Sequence, residues 1–132
     1  MTGAEPARPT TAPALVAACL CAGWCSTCEV YRPLLRELAT AHPAWQVAWI
    51  DIEDDADALG DDALDIQTFP TLLLLQDGVP LFYGALLPQA STLARLLAAV
   101  THHAAAPGAA ASVPAAMAAA VWRLAPLRLL AQ

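Results

Sequence analysis

Two cysteines separated by two residues, in Trp24-Cys25-Ser26-Thr27-Cys28, are the side chains of this sequence best suited to chemistry. An apolar run from Ala14 to Leu20 precedes them and a helical pattern carrying Pro33 follows, so the pair falls where a strand gives way to a helix. A helix start has unpaired N–H groups and partial positive charge, which stabilise a thiolate and lower the pKa of Cys25. The two-residue spacing brings both sulfurs together around one helical turn. Cys25 is then fitted to attack a disulfide, and Cys28 to break the resulting mixed disulfide by forming the Cys25–Cys28 bond. The alternative use of such a pair is structural, or as half of a zinc site.

All four cysteines, at positions 19, 21, 25 and 28, fall within ten residues, which marks a local site and not a disulfide framework. Cys19 and Cys21 share strand parity and read as small buried hydrophobes. A metal site built from all four is disfavoured, because a buried strand position does not easily turn toward the helix start. His42, His102 and His103 fall at or beyond helix ends and read as solvated, so no metal ligands and no cofactor are assigned. With a net charge of −6 and no cluster among its six arginines, the chain is not built to bind nucleic acid. Eight carboxylates between Asp51 and Asp65 read as a solvated loop and short helix, since Glu53-Asp54-Asp55-Ala56-Asp57 lacks the glycine and terminal Glu of a calcium loop. Leu15-Val16-Ala17-Ala18-Cys19 looks like a lipoprotein cleavage box, but Glu5, Pro6, Pro9 and Pro13 precede it. Cleavage there would also remove most of the strand that positions the dithiol, so the chain is expected to be uncleaved and cytoplasmic.

The elements around the dithiol follow from periodicity. Residues 1–13 read as a mobile lead-in. Ala14 to Leu20 suits a central strand buried on both faces. A helix near Cys25 to Ala41 presents Val30, Leu34, Leu38 and Ala41 at helical spacing, bent at Pro33. Gln46 to Ile52 is a second strand, parallel to the first across a right-handed crossover. Leu72 to Leu75 and Leu81 to Tyr83 form an antiparallel hairpin around Asp77-Gly78. A last helix, about Gln89 to Val100, turns Leu93, Leu96, Leu97 and Val100 to one side.

Taken in order, the WCxxC motif, Pro33 five residues after its second cysteine, and Phe69-Pro70-Thr71 before the leucine strand resemble the thioredoxin family over roughly residues 14–101. The resemblance implies an α/β thioredoxin-like fold of minimal β-α-β-α-β-β-α order, with a mixed four-stranded sheet and the 14–20 strand between 46–52 and 71–75. It implies catalytic roles for Cys25 and Cys28. It also implies a cis Pro70 across from the dithiol, and a substrate surface made by Trp24, Phe69 and Pro70. Protein disulfides are the implied substrates, with an electron donor of the thioredoxin-reductase type and no bound cofactor. A thioredoxin-like binding module with weak redox activity is the alternative function.

Against the family pattern, the buried acid six residues before the first cysteine is replaced by Cys19, and its companion lysine by Trp49. Resolution by Cys28 is expected to be slower as a result. Ser26-Thr27 stands where thioredoxins have Gly-Pro, and either hydroxyl can donate to a Cys25 thiolate. Thioredoxins also begin with an extra strand and helix, for which thirteen residues are too few, so the 46–52 strand is expected to lie at an edge. Residues 102–132 have no family counterpart and are rich in Ala and Pro. Val113, Met117, Val121, Trp122 and Leu124 form one side of a possible helix there that would cover apolar surface, the competing expectation being a disordered extension. Pro126 and Arg128 argue against a membrane span.

Overall fold

The computed structural model describes residues 14–23, 25–61, 66, 69–85, 94–98 and 113–130. Four strands form one mixed sheet: β1 (Leu15–Cys21), β2 (Trp45–Asp51), β3 (Thr71–Gln76) and β4 (Val79–Ala85), in the order β2-β1-β3-β4. β1 runs parallel to β2 and antiparallel to β3, and β3 pairs antiparallel with β4. All seven residues of β1 are buried. A strand covered on both faces has no use for the polar alternation of a half-exposed one, which explains the unbroken apolar run.

The helices lie on both faces. On one, α1 (Ser26–Ala41) and the helical segment α3 (94–98) pack on the odd-numbered residues of β1. On the other, α2 (Ala56–Leu59) and α4 (Ala115–Leu124) pack on the even-numbered ones, and a short 3-10 helix, Ala125–Leu127, follows α4. The α1 face agrees with the expected one at Leu38 and, half-buried, at Leu34, and differs from it at Val30 and Ala41. Cys28, Tyr31, Leu35, Leu38 and Ala39 are buried, whereas Val30 is 56% exposed and Ala41 is also exposed. The buried residues pack against Leu15, Ala17, Cys19 and Cys21 of β1.

The β3–β4 turn is at Asp77-Gly78, where both residues have positive φ, 51° and 86°. Two such residues make the tight turn whose twist matches that of the flanking strands. Asp77 also holds the start of β1: its Oδ1 accepts from the Ala14 N–H at 2.9 Å, and its own N–H donates to the Ala14 carbonyl at 2.8 Å. The register slips between Leu74 and Leu75, opposite Pro80, which has no N–H to give to the ladder.

β2 is an edge strand, and the chain's own C-terminal part lies along it. The Trp49 N–H donates to the Arg128 carbonyl and the Leu130 N–H to the Val47 carbonyl, each at 3.0 Å, around an antiparallel bridge between Ala48 and Leu129. Met117, Ala118, Ala120, Val121, Leu124 and Ala125 are buried in the same cluster as Val16, Ala18, Leu20, Ala48 and Ile50. Burial of that apolar surface stabilises the docked helix. One acidic residue departs from the solvated reading. Asp55 is buried and receives a bidentate pair of hydrogen bonds from Arg128, at 2.7 and 3.0 Å. Among the described residues, no helix is long and apolar enough to cross a membrane.

Candidate active site

The dithiol sits where β1 ends. After Cys21 the chain turns back within three residues, closed by the Cys25 N–H donating to the Ala22 carbonyl at 2.9 Å. A Cβ at Gly23 would come within 2.9 Å of the Asp51 carboxylate, so a larger residue in this turn would displace that side chain. Cys25 takes the cap position of α1 with extended backbone (φ −91°, ψ 111°), so the N–H groups of the first turn lie ahead of its sulfur. As a neutral thiol Cys25 makes no capping hydrogen bond. The thiolate is what those groups favour: the Cys28 N–H, with help from the Cys28 thiol and the N–H and hydroxyl of Thr27, holds Cys25 below the ordinary thiol pKa.

Cys28 has the opposite character. It is buried, and burial, followed by contact with the Cys21 thiol, pushes its pKa far up. The site thus pairs a partly exposed thiol that ionises easily with a buried one that keeps its proton, the asymmetry needed for ordered disulfide exchange.

Phe69-Pro70 is at the same end of the sheet, because Thr71 pairs with Leu20 one residue before β1 ends at Cys21. The peptide bond between Phe69 and Pro70 is cis, as the resemblance implies. Pro70 is buried and Phe69 half-buried. Trp24 lies outside the described residues, as do His102 and His103. His42 is half-buried and lines a cavity of about 380 Å³ with Leu15, Trp45 and Leu97 at the far end of β1.

Cys19 lies opposite Trp49 in the β1–β2 register, so the two replacements for the charged pair meet as aligned. The Trp49 ring carries the Arg32 guanidinium at 4.4 Å from its centre, a cation above the ring instead of one beside a carboxylate. Tyr31, one turn beyond Cys28, is fully buried, and its hydroxyl has no hydrogen-bond partner among the described residues. Burial, with smaller contributions from Cys19 and Cys28, raises its pKa to about 12.

Residue-by-residue reading missed the reach of Cys21. Its sulfur lies 3.5 Å from that of Cys19, and its side chain shares a buried cluster with Cys28. A strand position does therefore meet the helix start, because Cys21 is the last residue of β1 and α1 folds back over it. All four cysteines are thiols.

A family model described as thioredoxin matches residues 11–99, which take in the dithiol, the cis proline and all four strands. The chain belongs to the thioredoxin family. A thioredoxin of Mycolicibacterium smegmatis is 33% identical to it over 60 residues, covering 45% of this chain and 54% of that protein. The chain thus spans about half the length of this curated relative. Among solved structures, the germline-specific thioredoxin Deadhead of Drosophila melanogaster is similar in fold with a TM-score of 0.56, at 20% identity over 65% of this chain and 80% of that one. Thioredoxin of Fasciola hepatica gives a TM-score of 0.56 at 20% identity, covering 64% and 79%. A mutant thioredoxin of Halobacterium salinarum gives 0.53 at 26% identity, covering 76% and 79%.

Proposed function

We propose that this member of the thioredoxin family is a thiol–disulfide oxidoreductase acting on protein disulfides through Cys25 and Cys28. The observation that carries this reading is the asymmetry of the pair: Cys25 at the open cap of α1 with its pKa lowered, and Cys28 buried one turn inside with its pKa raised. The Cys25 thiolate attacks one sulfur of the substrate disulfide, a mixed disulfide forms, and the other substrate sulfur leaves as a thiolate. Cys28 then loses its proton and attacks the Cys25 sulfur, forming the Cys25–Cys28 bond and releasing the second substrate thiol. A dithiol donor, of the type a thioredoxin reductase supplies, reduces the pair again. No cofactor takes part. Phe69, Pro70 and Trp24 are assigned to the substrate surface, and the reaction to the cytoplasm, where thiols are kept reduced.

A second reading, a thioredoxin-like binding module with slow redox chemistry, is favoured by one observation. Cys19, opposite Trp49, leaves Cys28 without the carboxylate that would take its proton. Reduction of insulin disulfides with dithiothreitol as donor separates the two. The oxidoreductase reading requires the wild-type chain to accelerate precipitation of the insulin chains and both Cys25→Ser and Cys28→Ser to lose that acceleration. Wild-type activity no greater than that of Cys25→Ser supports the binding module.

A further inference from the structure

Resting on the redox reading of Cys25 and Cys28, we propose that Cys21 is a third exchanging thiol, which takes over the disulfide from Cys25 to form a buried Cys21–Cys28 bond. The four sulfurs form a file running inward from the surface. Cys25 is partly exposed, while Cys28 and Cys21 are each 1% exposed and Cys19 is fully buried. Cys28 is the branch point, since it stands between Cys25, one turn away at the cap of α1, and Cys21, which shares its buried cluster at the end of β1. The backbone makes this packing stable: residues 19 and 21 of β1 point to the face that α1 covers, and the closed turn at Ala22 brings the first turn of α1 back over the strand end. A cysteine packed between two others can form a disulfide with either one that side-chain rotation brings to bonding distance.

The step balances without any outside oxidant. Starting from the Cys25–Cys28 disulfide, Cys21 gives up its proton and attacks the Cys28 sulfur. The Cys25–Cys28 bond breaks as the Cys21–Cys28 bond forms, and Cys25 departs as a thiolate, with the proton passing to water or to Cys25. No net electrons are gained or lost. The leaving group favours this direction, because Cys25 is the thiol best able to carry negative charge in the site. Speed is limited by the nucleophile, since contact with Cys19 and burial keep Cys21 protonated. The transfer is therefore too slow to join each turnover. It acts on the resting oxidised protein, storing the disulfide where external thiols do not reach it and returning Cys25 to the surface as a free thiol.

The test uses the full chain and diamide as oxidant, with free thiols alkylated before digestion. Chymotrypsin, cutting after Leu20, Trp24 and Tyr31, places Cys19 and Cys21 on separate peptides and Cys25 with Cys28 on a third. In oxidised wild type, iodoacetamide is expected to label Cys25 slowly while the Cys21 peptide becomes linked to Cys28, and in Cys21→Ala that labelling falls to background. Cys25→Ser, which lacks the exposed entry thiol, is expected to keep Cys21 and Cys28 as thiols under the same brief oxidation. If wild type forms its Cys25–Cys28 bond but the Cys21 peptide never becomes linked and Cys25 stays unlabelled, the third-thiol proposal is overturned and the redox reading survives. A wild-type chain in which oxidation forms neither a Cys25–Cys28 nor a Cys21–Cys28 bond overturns both.

Discussion

Replacing Met117 by alanine tests whether the C-terminal helix belongs to the working fold. Met117 is fully buried within the cluster that joins α4 to the even-numbered face of β1. Truncation removes its apolar contacts and leaves a void, a change that costs about 2–5 kcal/mol in buried sites. The cluster also contains Ala18, Ala48, Ala118, Ala120 and Ala125, which have no rotamers with which to fill that void. The cost therefore falls in the upper part of the range, about 3–5 kcal/mol. For a domain of this size each kcal/mol moves the melting temperature by roughly 4 °C, so a drop of about 12–20 °C is expected in a circular-dichroism melt. The exposed neighbour Ala119, changed to serine, serves as a control and is expected to shift stability by less than about 0.5 kcal/mol. Well below the melting temperature, the Cys25 alkylation rate of Met117→Ala should match wild type, because α1 packs on the opposite face of the sheet. A melting temperature equal to that of wild type would refute the packing of α4, and a slowed Cys25 would refute the independence of the two faces.

Three further outcomes follow from the same structure. The folded-state pKa values of Cys21 and Cys28 are raised above 9.0, so their contribution to the stability of the reduced chain is present below that pH and lost as pH rises beyond it, at about 1.4 kcal/mol per pH unit for each thiol; denaturant melts between pH 8 and pH 10, bounds set at roughly one unit either side of 9.0, should show the decline, and a flat profile would contradict their burial. Asp55→Asn removes the charge that holds Arg128, and hydrogen exchange should then quicken at the Trp49 and Leu130 N–H groups that bond across the β2 edge, whereas unchanged protection there would show that the ion pair does not anchor the edge. Cys19→Asp puts a carboxylate beside Trp49, where no lysine pairs with it, and should cost several kcal/mol of stability while speeding the breakdown of mixed disulfides; unchanged breakdown in a folded variant would mean that the proton of Cys28 leaves by another route.

Much of the fold was legible because its signals are local. The all-buried β1 is an apolar run, the hairpin turns at Asp77-Gly78, and Met117, Val121 and Leu124 repeat at helical spacing. The buried face of α1 was legible only in part, at Leu34 and Leu38, because hydropathy favours Val30 over Tyr31 while Tyr31 is the one that faces the core. The burial of Asp55 was equally hidden, since its partner Arg128 is 73 residues away in the chain. The dithiol itself was legible from type, spacing and context, and its asymmetry follows from one residue capping the helix while the other faces the sheet. Strand parity puts Cys19 and Cys21 on one face, but that Cys28 lies on the same face was not legible in it. Their contacts depend on how tightly the chain turns at Ala22, which composition does not encode.

The central claim is that Cys25 attacks and Cys28 resolves, and trapping the mixed disulfide tests it most directly. Full-length Cys28→Ser, incubated with a disulfide-bonded peptide and analysed by intact mass and peptide mapping, is predicted to accumulate a covalent adduct on Cys25, because the thiol that would release it is gone. Cys25→Ser is predicted to form none, since Cys28 is buried and holds its proton. An adduct on Cys28 in Cys25→Ser at a comparable rate, or no adduct in Cys28→Ser, would contradict the assignment.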